Sequence, residues 1–223
     1  MVDFTNVMED SNTDNTSLFG APYHQTGWNQ LLFYANSFES YSSNGTADTT
    51  SGTLQLLVTA RPGYSINNIT IKEFGKYNIT NDSPIKNALA NSNGFLTVTT
   101  LGDVNIVETA HHSEIFSFSS EISGSFSAAW EIDLTNLGFS VSSAVINFNN
   151  NLQTSSQIGT SSYIEKKAND EFEPSIALAV NSEPDFQFEN PDNIYPTPIP
   201  AGMWLFISGL AGLFPIISKS GKK

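Results

Sequence analysis

The sequence predicts a mainly β protein: an antiparallel, jelly-roll-like β-sandwich followed by a single C-terminal transmembrane helix. Three observations point there. Hydrophobic residues make up 39% of the 223 and charged residues only 14%, with Phe prominent at 16 copies, a mixture suited to pleated, half-buried surfaces. Apolar residues recur with a period of two in runs separated by turn-forming residues, and no convincing helical period occurs before residue 200. The chain then closes on an uncharged run, residues 201–217, followed by lysines.

The elements follow in order. Residues 1–17 are polar and acidic with little apolar content, which predicts a disordered segment. The aromatic-rich stretch "SLFGAPYHQTGWNQLLFYANSFESY" opens an ordered domain assigned to residues 18–181, and "SSNGTADTTSG" is a turn-rich loop. "TLQLLVTA" puts Leu54, Leu56, Val58 and Ala60 on one face of a strand. "YSINNITIKEFGKYNIT" predicts two short strands with Gly75 near a bend, and "NDSPIKNALANSNG" predicts a loop. "FLTVTT", "VNIVETA" and "EIFSFSS" read as strands separated by a Gly-Asp corner and a His-rich corner. The alternation is cleanest in "SFSAAWEIDL", where Phe126, Ala128, Trp130, Ile132 and Leu134 share a face. "SAVINFNNNLQTSS", "SSYIEKK" and "SIALAV", with Ile176, Leu178 and Val180 in phase, complete about 10 strands, enough for two packed sheets. Residues 182–198 are rich in Pro and acid and predict an extended linker.

Charge and cysteine content exclude several functions. The net charge is −13, every acidic residue lies at or before Asp192, and three of the nine basic residues, Lys219, Lys222 and Lys223, fall in the last five positions. A field of that sign repels phosphate backbones and argues against nucleic acid as a partner. With no Cys, disulfides, thiolate metal sites and Cys nucleophiles are excluded.

The uncharged run from Ala201 to Ile217 spans about 25 Å as a helix, at the short end of what crosses a hydrocarbon core of about 30 Å. Flanking lysines snorkel, and Trp204 sits where an interfacial aromatic is favoured. No residue of the run offers a polar face, and nothing follows the lysines to pack against, so a lipid bilayer is the expected surrounding. The positive-inside rule keeps Lys219, Lys222 and Lys223 in the cytoplasm and places the acidic domain outside.

Pro198, Ile199, Pro200 and Ala201, then Trp204-Leu205-Phe206, Ser208-Gly209-Leu210 and Gly212-Leu213, then the basic end, together resemble the PEP-CTERM sorting signal in its VPLPA-type variant. Residues 199–223 thus form the expected sorting signal. The resemblance implies that the chain is a substrate of an exosortase, a membrane-embedded processing enzyme of Gram-negative bacteria that make exopolysaccharide and biofilm. It also implies an inner-membrane anchor before processing, then a cell-surface or extracellular location. Thr197 and Ile199 stand where Val and Leu are usual, Pro215 interrupts the helix, and the basic end carries lysines instead of an arginine cluster. Members of the family carry a signal peptide. The opening "MVDFTNVMEDSNTDNTS" has neither a basic stretch nor a long apolar one, so the expectation is that the true start lies upstream.

Candidate chemistry in the domain is sparse. His111 and His112 are adjacent and point to opposite faces of a strand, leaving His112 and Glu114 as two ligands, too few for a metal. Asp170, Glu171 and Glu173, and the "NPDN" run, lack the spacing of a calcium loop. No Ser lies in a G-x-S-x-G context. Trp28, Tyr23, Tyr34 and Tyr41 are candidates for stacking on sugar rings, and Trp130 is expected in the core. The reading is therefore a non-catalytic, exported envelope, surface or matrix protein with no cofactor, sorted through its tail. The alternative is a carbohydrate-binding module for a secreted polysaccharide such as exopolysaccharide, and a secreted hydrolase is a third reading.

Overall fold

The computed structural model describes residues 1–184 apart from 12, 14–16, 25, 26, 36, 83, 84, 103, 119–121 and 168–172. Residues 185–223 lie outside the described set, and with them the linker beyond 184, the sorting motif Pro198–Ala201, the helix residues 201–217 and the terminal lysines. Among the described residues no helix is long and apolar enough to cross a membrane.

Twelve strands occur in the described residues: β1 (Val2–Ser11), β2 (Pro22–Tyr23), β3 (Gln30–Phe33), β4 (Glu39–Ser43), β5 (Ala47–Ala60), β6 (Tyr64–Asn81), β7 (Ala88–Leu101), β8 (Val107–Phe118), β9 (Ile122–Asp133), β10 (Ser143–Ser156), β11 (Thr160–Lys166) and β12 (Ile176–Pro184). A short 3-10 turn, Thr135–Leu137, follows β9. The strands form two antiparallel sheets. Sheet A runs β1-β5-β10-β7-β8, and sheet B runs β2-β3-β12-β6-β11-β4 with β9 on β6. The 18-residue β6 organises sheet B. Along one edge it pairs with β12 from Tyr64 to Glu73 and with β11 from Gly75 to Asn81. Its other edge takes β9, with Ile71 opposite Trp130 and Gly75 opposite Phe126.

Period-two alternation sends one face of each sheet into a shared interior. Leu54, Leu56 and Val58 of β5 and Ala144, Ile146 and Phe148 of β10 are buried on the sheet A side. Ile69 and Ile71, Ala128, Trp130 and Ile132, and Ile176, Leu178 and Val180 are buried on the sheet B side. Among the described residues Trp130 is the largest fully buried side chain. Its ring meets Phe148 edge-on at 4.8 Å between centroids, and its indole N–H donates to the Gly94 carbonyl at 3.1 Å. Gly94 must be glycine, since a Cβ there would lie 2.6 Å from the Asn149 carbonyl oxygen. At the β4 end the interior turns to hydroxyls: Ser40 bonds Thr154 across the sheets at 2.9 Å, and Ser162 donates to the Leu89 carbonyl at 2.7 Å. The Ser and Thr enrichment of the sequence is thus partly interior.

Five sequence expectations are corrected. Residues 2–11 are not disordered: they form β1, paired to β5 from Val2–Ala60 to Ser11–Gly52. A register shift between Thr5 and Met8, with Asn6 at φ 52°, breaks the alternation of Val2, Phe4 and Val7, so the strand shows no clean period. The acids that suggested disorder have partners: Arg61 bonds Asp3 at 2.8 Å, and Glu9 accepts the Leu18 and Phe19 amides and the Ser17 hydroxyl. Tyr64–Asn81 is one strand, not two around Gly75, and β7 begins at Ala88 within the expected loop. His111 and His112 lie inside β8 and not at a corner, because β7 supplies a partner for every residue from Val107 to Phe118. Finally, β12 extends to Pro184, so the first residues of the expected linker pair with Tyr64–Ile66.

Gly75 owes its identity to packing. A Cβ there would collide with the Phe126 ring and approach the Glu165 carbonyl oxygen to 2.6 Å. Gly75→Ala is expected to destabilise the fold by about 1–3 kcal/mol through overpacking, read as a lowered urea midpoint with an unchanged slope.

Candidate functional site

The outward-facing residues of sheet B come from the strand phases opposite to those in the core. Cross-strand register sets them in rows. Tyr41 on β4 stands beside Tyr163 on β11, Tyr163 beside Asn78 on β6, and Asn78 beside Ser123 on β9. The neighbouring row is Glu39, Glu165, Lys76 and Ser125. Lys76, Asn78, Ser123, Ser125, Tyr163 and Glu165 border an open groove of about 470 Å³ that crosses the three strands. Gly124, beneath it, leaves room for the inward-facing Tyr77, whose ring stacks on Phe116 at 4.2 Å. Tyr41 is 56% exposed. The Tyr163 hydroxyl donates to Glu39 Oε2 at 2.6 Å. Partial burial, that hydrogen bond and the Glu165 charge push the Tyr163 phenol well above its ordinary range.

The other predicted aromatics are scattered. Trp28 is half exposed beside a smaller recess of about 250 Å³ lined also by Asn29, Gln30 and Asn181. Tyr23 and Tyr34 are exposed elsewhere; of the predicted aromatics only Tyr41 adjoins a groove residue, as the cross-strand neighbour of Tyr163, and it does not itself border the groove. Trp130 is in the core, as the alternation implied. His112 and Glu114 do share a face of β8, 3.7 Å apart, with the His112 ring edge-on to Trp130, while His111 packs by Phe95 on the other face. Among the described residues no group of three or more His, Cys, Asp or Glu is placed to hold a metal ion. Asp170 and Glu171, and the "NPDN" run, lie outside the described residues.

A second polar group lies in the interior and was missed in the sequence. Glu73 on β6 and Lys166 on β11 form an ion pair with both side chains fully buried. Ser92 of β7 lies 3.0 Å from Glu73 Oε1 and 2.8 Å from Lys166 Nζ, and Asn150 of β10 donates its amide to Glu73 Oε2. Two strands from each sheet therefore meet at one carboxylate. Burial pulls the Lys166 ammonium below its ordinary range, opposed by the Glu73 charge. The signal was present: Glu73 falls in phase with Ile69 and Ile71, and Lys166 in phase with Ile164, so two opposite charges occupy core positions of their strands.

No family model matches the sequence, and no curated protein matches it. Among solved structures, the chain is similar to a family 61 carbohydrate-binding module in complex with β-1,4-galactotriose, at 11% identity and TM-score 0.25, over 79% of this chain and 90% of that one. It is also similar to a family 16 carbohydrate-binding module, at 10% identity and TM-score 0.22, over 71% of this chain and 87% of that one. A third is the CBM22-1 xylan-binding domain from Paenibacillus barcinonensis, at 10% identity and TM-score 0.21, over 63% and 85% of the two chains. Likeness at this level carries no ligand across to this chain.

The raised Tyr163 pKa has a pH consequence. The folded value lies above the ordinary 10.0, so the contribution of this group to stability is complete below that pH and is lost as pH rises beyond it. Tyr163→Phe is expected to flatten the alkaline loss of stability, measured by urea unfolding at neutral pH and at a pH above that value.

Proposed function

We propose that this chain is an exported, non-catalytic surface or extracellular-matrix protein whose sandwich binds a polysaccharide on the outer face of sheet B. The observation that carries the binding reading is the row Tyr41, Tyr163, Asn78 and Ser123 over an open groove. Sugar rings present apolar C–H faces and a rim of hydroxyls. Aromatic rings serve the first; amide, hydroxyl, ammonium and carboxylate groups serve the second. An open groove across strands suits a chain that passes over the surface more than a small molecule that must be enclosed. With a net charge of −13, the protein favours a neutral glycan over a polyanionic one.

The export reading rests on the tail. Pro198, Ile199, Pro200 and Ala201 are the motif that an exosortase-type enzyme would recognise, and a sequence with two prolines so spaced favours extended chain over helix. The run 201–217 holds the substrate in the bilayer, and Lys219, Lys222 and Lys223 set its direction.

Binding is tested by affinity electrophoresis of the whole chain in gels containing neutral β-glucan, galactan or a polyuronate. Retardation is expected in a neutral gel, and Tyr41→Ala weakens it about tenfold, the loss of one stacking contact of roughly 1.4 kcal/mol. Free migration in every gel removes the binding reading and leaves a structural role. The tail is tested by fractionating cells that express the chain behind a signal peptide. The full chain is expected with the membranes and a chain ending at residue 198 in the soluble exported fraction; a full chain that is soluble overturns the sorting reading.

A further inference from the structure

The interior cluster is more than a buried ion pair. Glu73 takes Lys166 Nζ on Oε1 and Asn150 Nδ2 on Oε2, so an amine and a carboxamide are held against the two oxygens of one carboxylate. Ser92 Oγ touches both charged partners, at 2.8 Å from Nζ and 3.0 Å from Oε1. The Phe126 ring lies 5.2 Å from Nζ, and the surrounding core is aromatic and aliphatic. Asn150 Oδ1 is buried with no hydrogen-bond partner, so this carboxamide is only half satisfied where it stands. Apolar side chains of similar volume in place of this pair would hold the same sheets together without the desolvation of two ions. The arrangement makes chemical sense as a set of reactants.

Amines do not attack amides in water, because the amine is protonated, the leaving nitrogen is poor and the encounter is brief. All three obstacles are lowered here. Burial disfavours the ammonium form of Lys166, while the nearby charges of Glu73 and Glu114 oppose that shift. Glu73 contacts both nitrogens and can carry a proton from one to the other. The fold holds amine and amide on the two oxygens of one carboxylate, and placing reactants in this way is worth up to about 10⁵–10⁸ M in effective concentration.

We propose that Lys166 and Asn150 join in an amide crosslink formed within the folded chain, with Glu73 as its acid–base catalyst. The Lys166 ammonium first gives one proton to the Glu73 carboxylate. The neutral amine then attacks Cγ of Asn150, forming the Nζ–Cγ bond. Glu73 delivers its proton to Nδ2 and receives one from Nζ, the Cγ–Nδ2 bond breaks, and ammonia leaves. The products are an amide bearing one N–H, one ammonia and a neutral Glu73 carboxylic acid. The sum of charges is unchanged, nothing is oxidised, and no co-reactant enters. The reaction replaces two buried charges by neutral groups and ties β11 of sheet B to β10 of sheet A. In a chain with no Cys, it supplies a covalent staple that needs no oxidising compartment.

Peptide mass mapping of the purified full chain tests this. No Lys or Arg lies between Asn87 and Glu165, so Asn150 and Lys166 share one tryptic peptide. In the wild type that peptide is expected to be lighter by one ammonia, to resist cleavage after Lys166 and to end at Lys167. Fragmentation should find residues 150 and 166 joined. Glu73→Gln and Lys166→Met are expected to give the full sequence mass. A wild-type peptide of full mass, cleaved after Lys166, overturns the proposal. An ammonia deficit that persists in Lys166→Met overturns it too, since it marks a succinimide at Asn150. The wild-type fragmentation does not depend on either variant folding.

Discussion

The contact between Glu73 and Lys166 constrains the rest of the fold. Removing two ions from water costs several kcal/mol each, and the Coulomb attraction offsets this only when the remaining donors and acceptors are also matched. Ser92 and Asn150 do the matching, and they come from the opposite sheet. Strands β6, β7, β10 and β11 must therefore all be in one register. A slip of one residue in β6 would turn Glu73 to solvent and Phe74 inward, leaving Lys166 as an unpaired buried charge. A purely apolar interior would tolerate more ways of sliding one sheet over the other.

The same register builds the outer surface. Once Glu73 and Gly75 point inward, Lys76 and Asn78 flank an outward face, and Tyr163 and Glu165 must join them from β11 because Ile164 and Lys166 are buried. Interior chemistry and the groove are thus two consequences of one alternation. The proposed crosslink would fix both by joining the sheets beneath the groove. The edges are also managed: β1 closes the side of β5 with a bulge at Asn6 and with Asp3, Glu9 and Asp10, features that discourage further strand pairing.

Legibility in the sequence followed the regularity of each element. Clean alternation in β5, β9 and β12 marked their inner faces correctly, down to the burial of Trp130. It failed in β1, where the bulge breaks the period and the acids resemble those of an unfolded tail. It also failed at Gly75, read as a bend although the glycine serves the Phe126 ring on the neighbouring strand. No residue bordering the groove was named as a candidate in advance; only Tyr41, beside Tyr163 in the row, was. Tyr163, Lys76 and Asn78 are unremarkable in sequence and become a site only when three strands are laid side by side.

The sequence by itself determined the β class, the two-faced character of most strands and the sign of the surface charge, because these depend on local periodicity and composition. Only the tertiary structure decided which strands are neighbours, that β1 belongs to the sandwich, and that Glu73, Ser92, Asn150 and Lys166 share one point in space. Pairings between residues so distant along the chain depend on how whole sheets pack, and no local pattern records which charged residue in a core phase will find its partner.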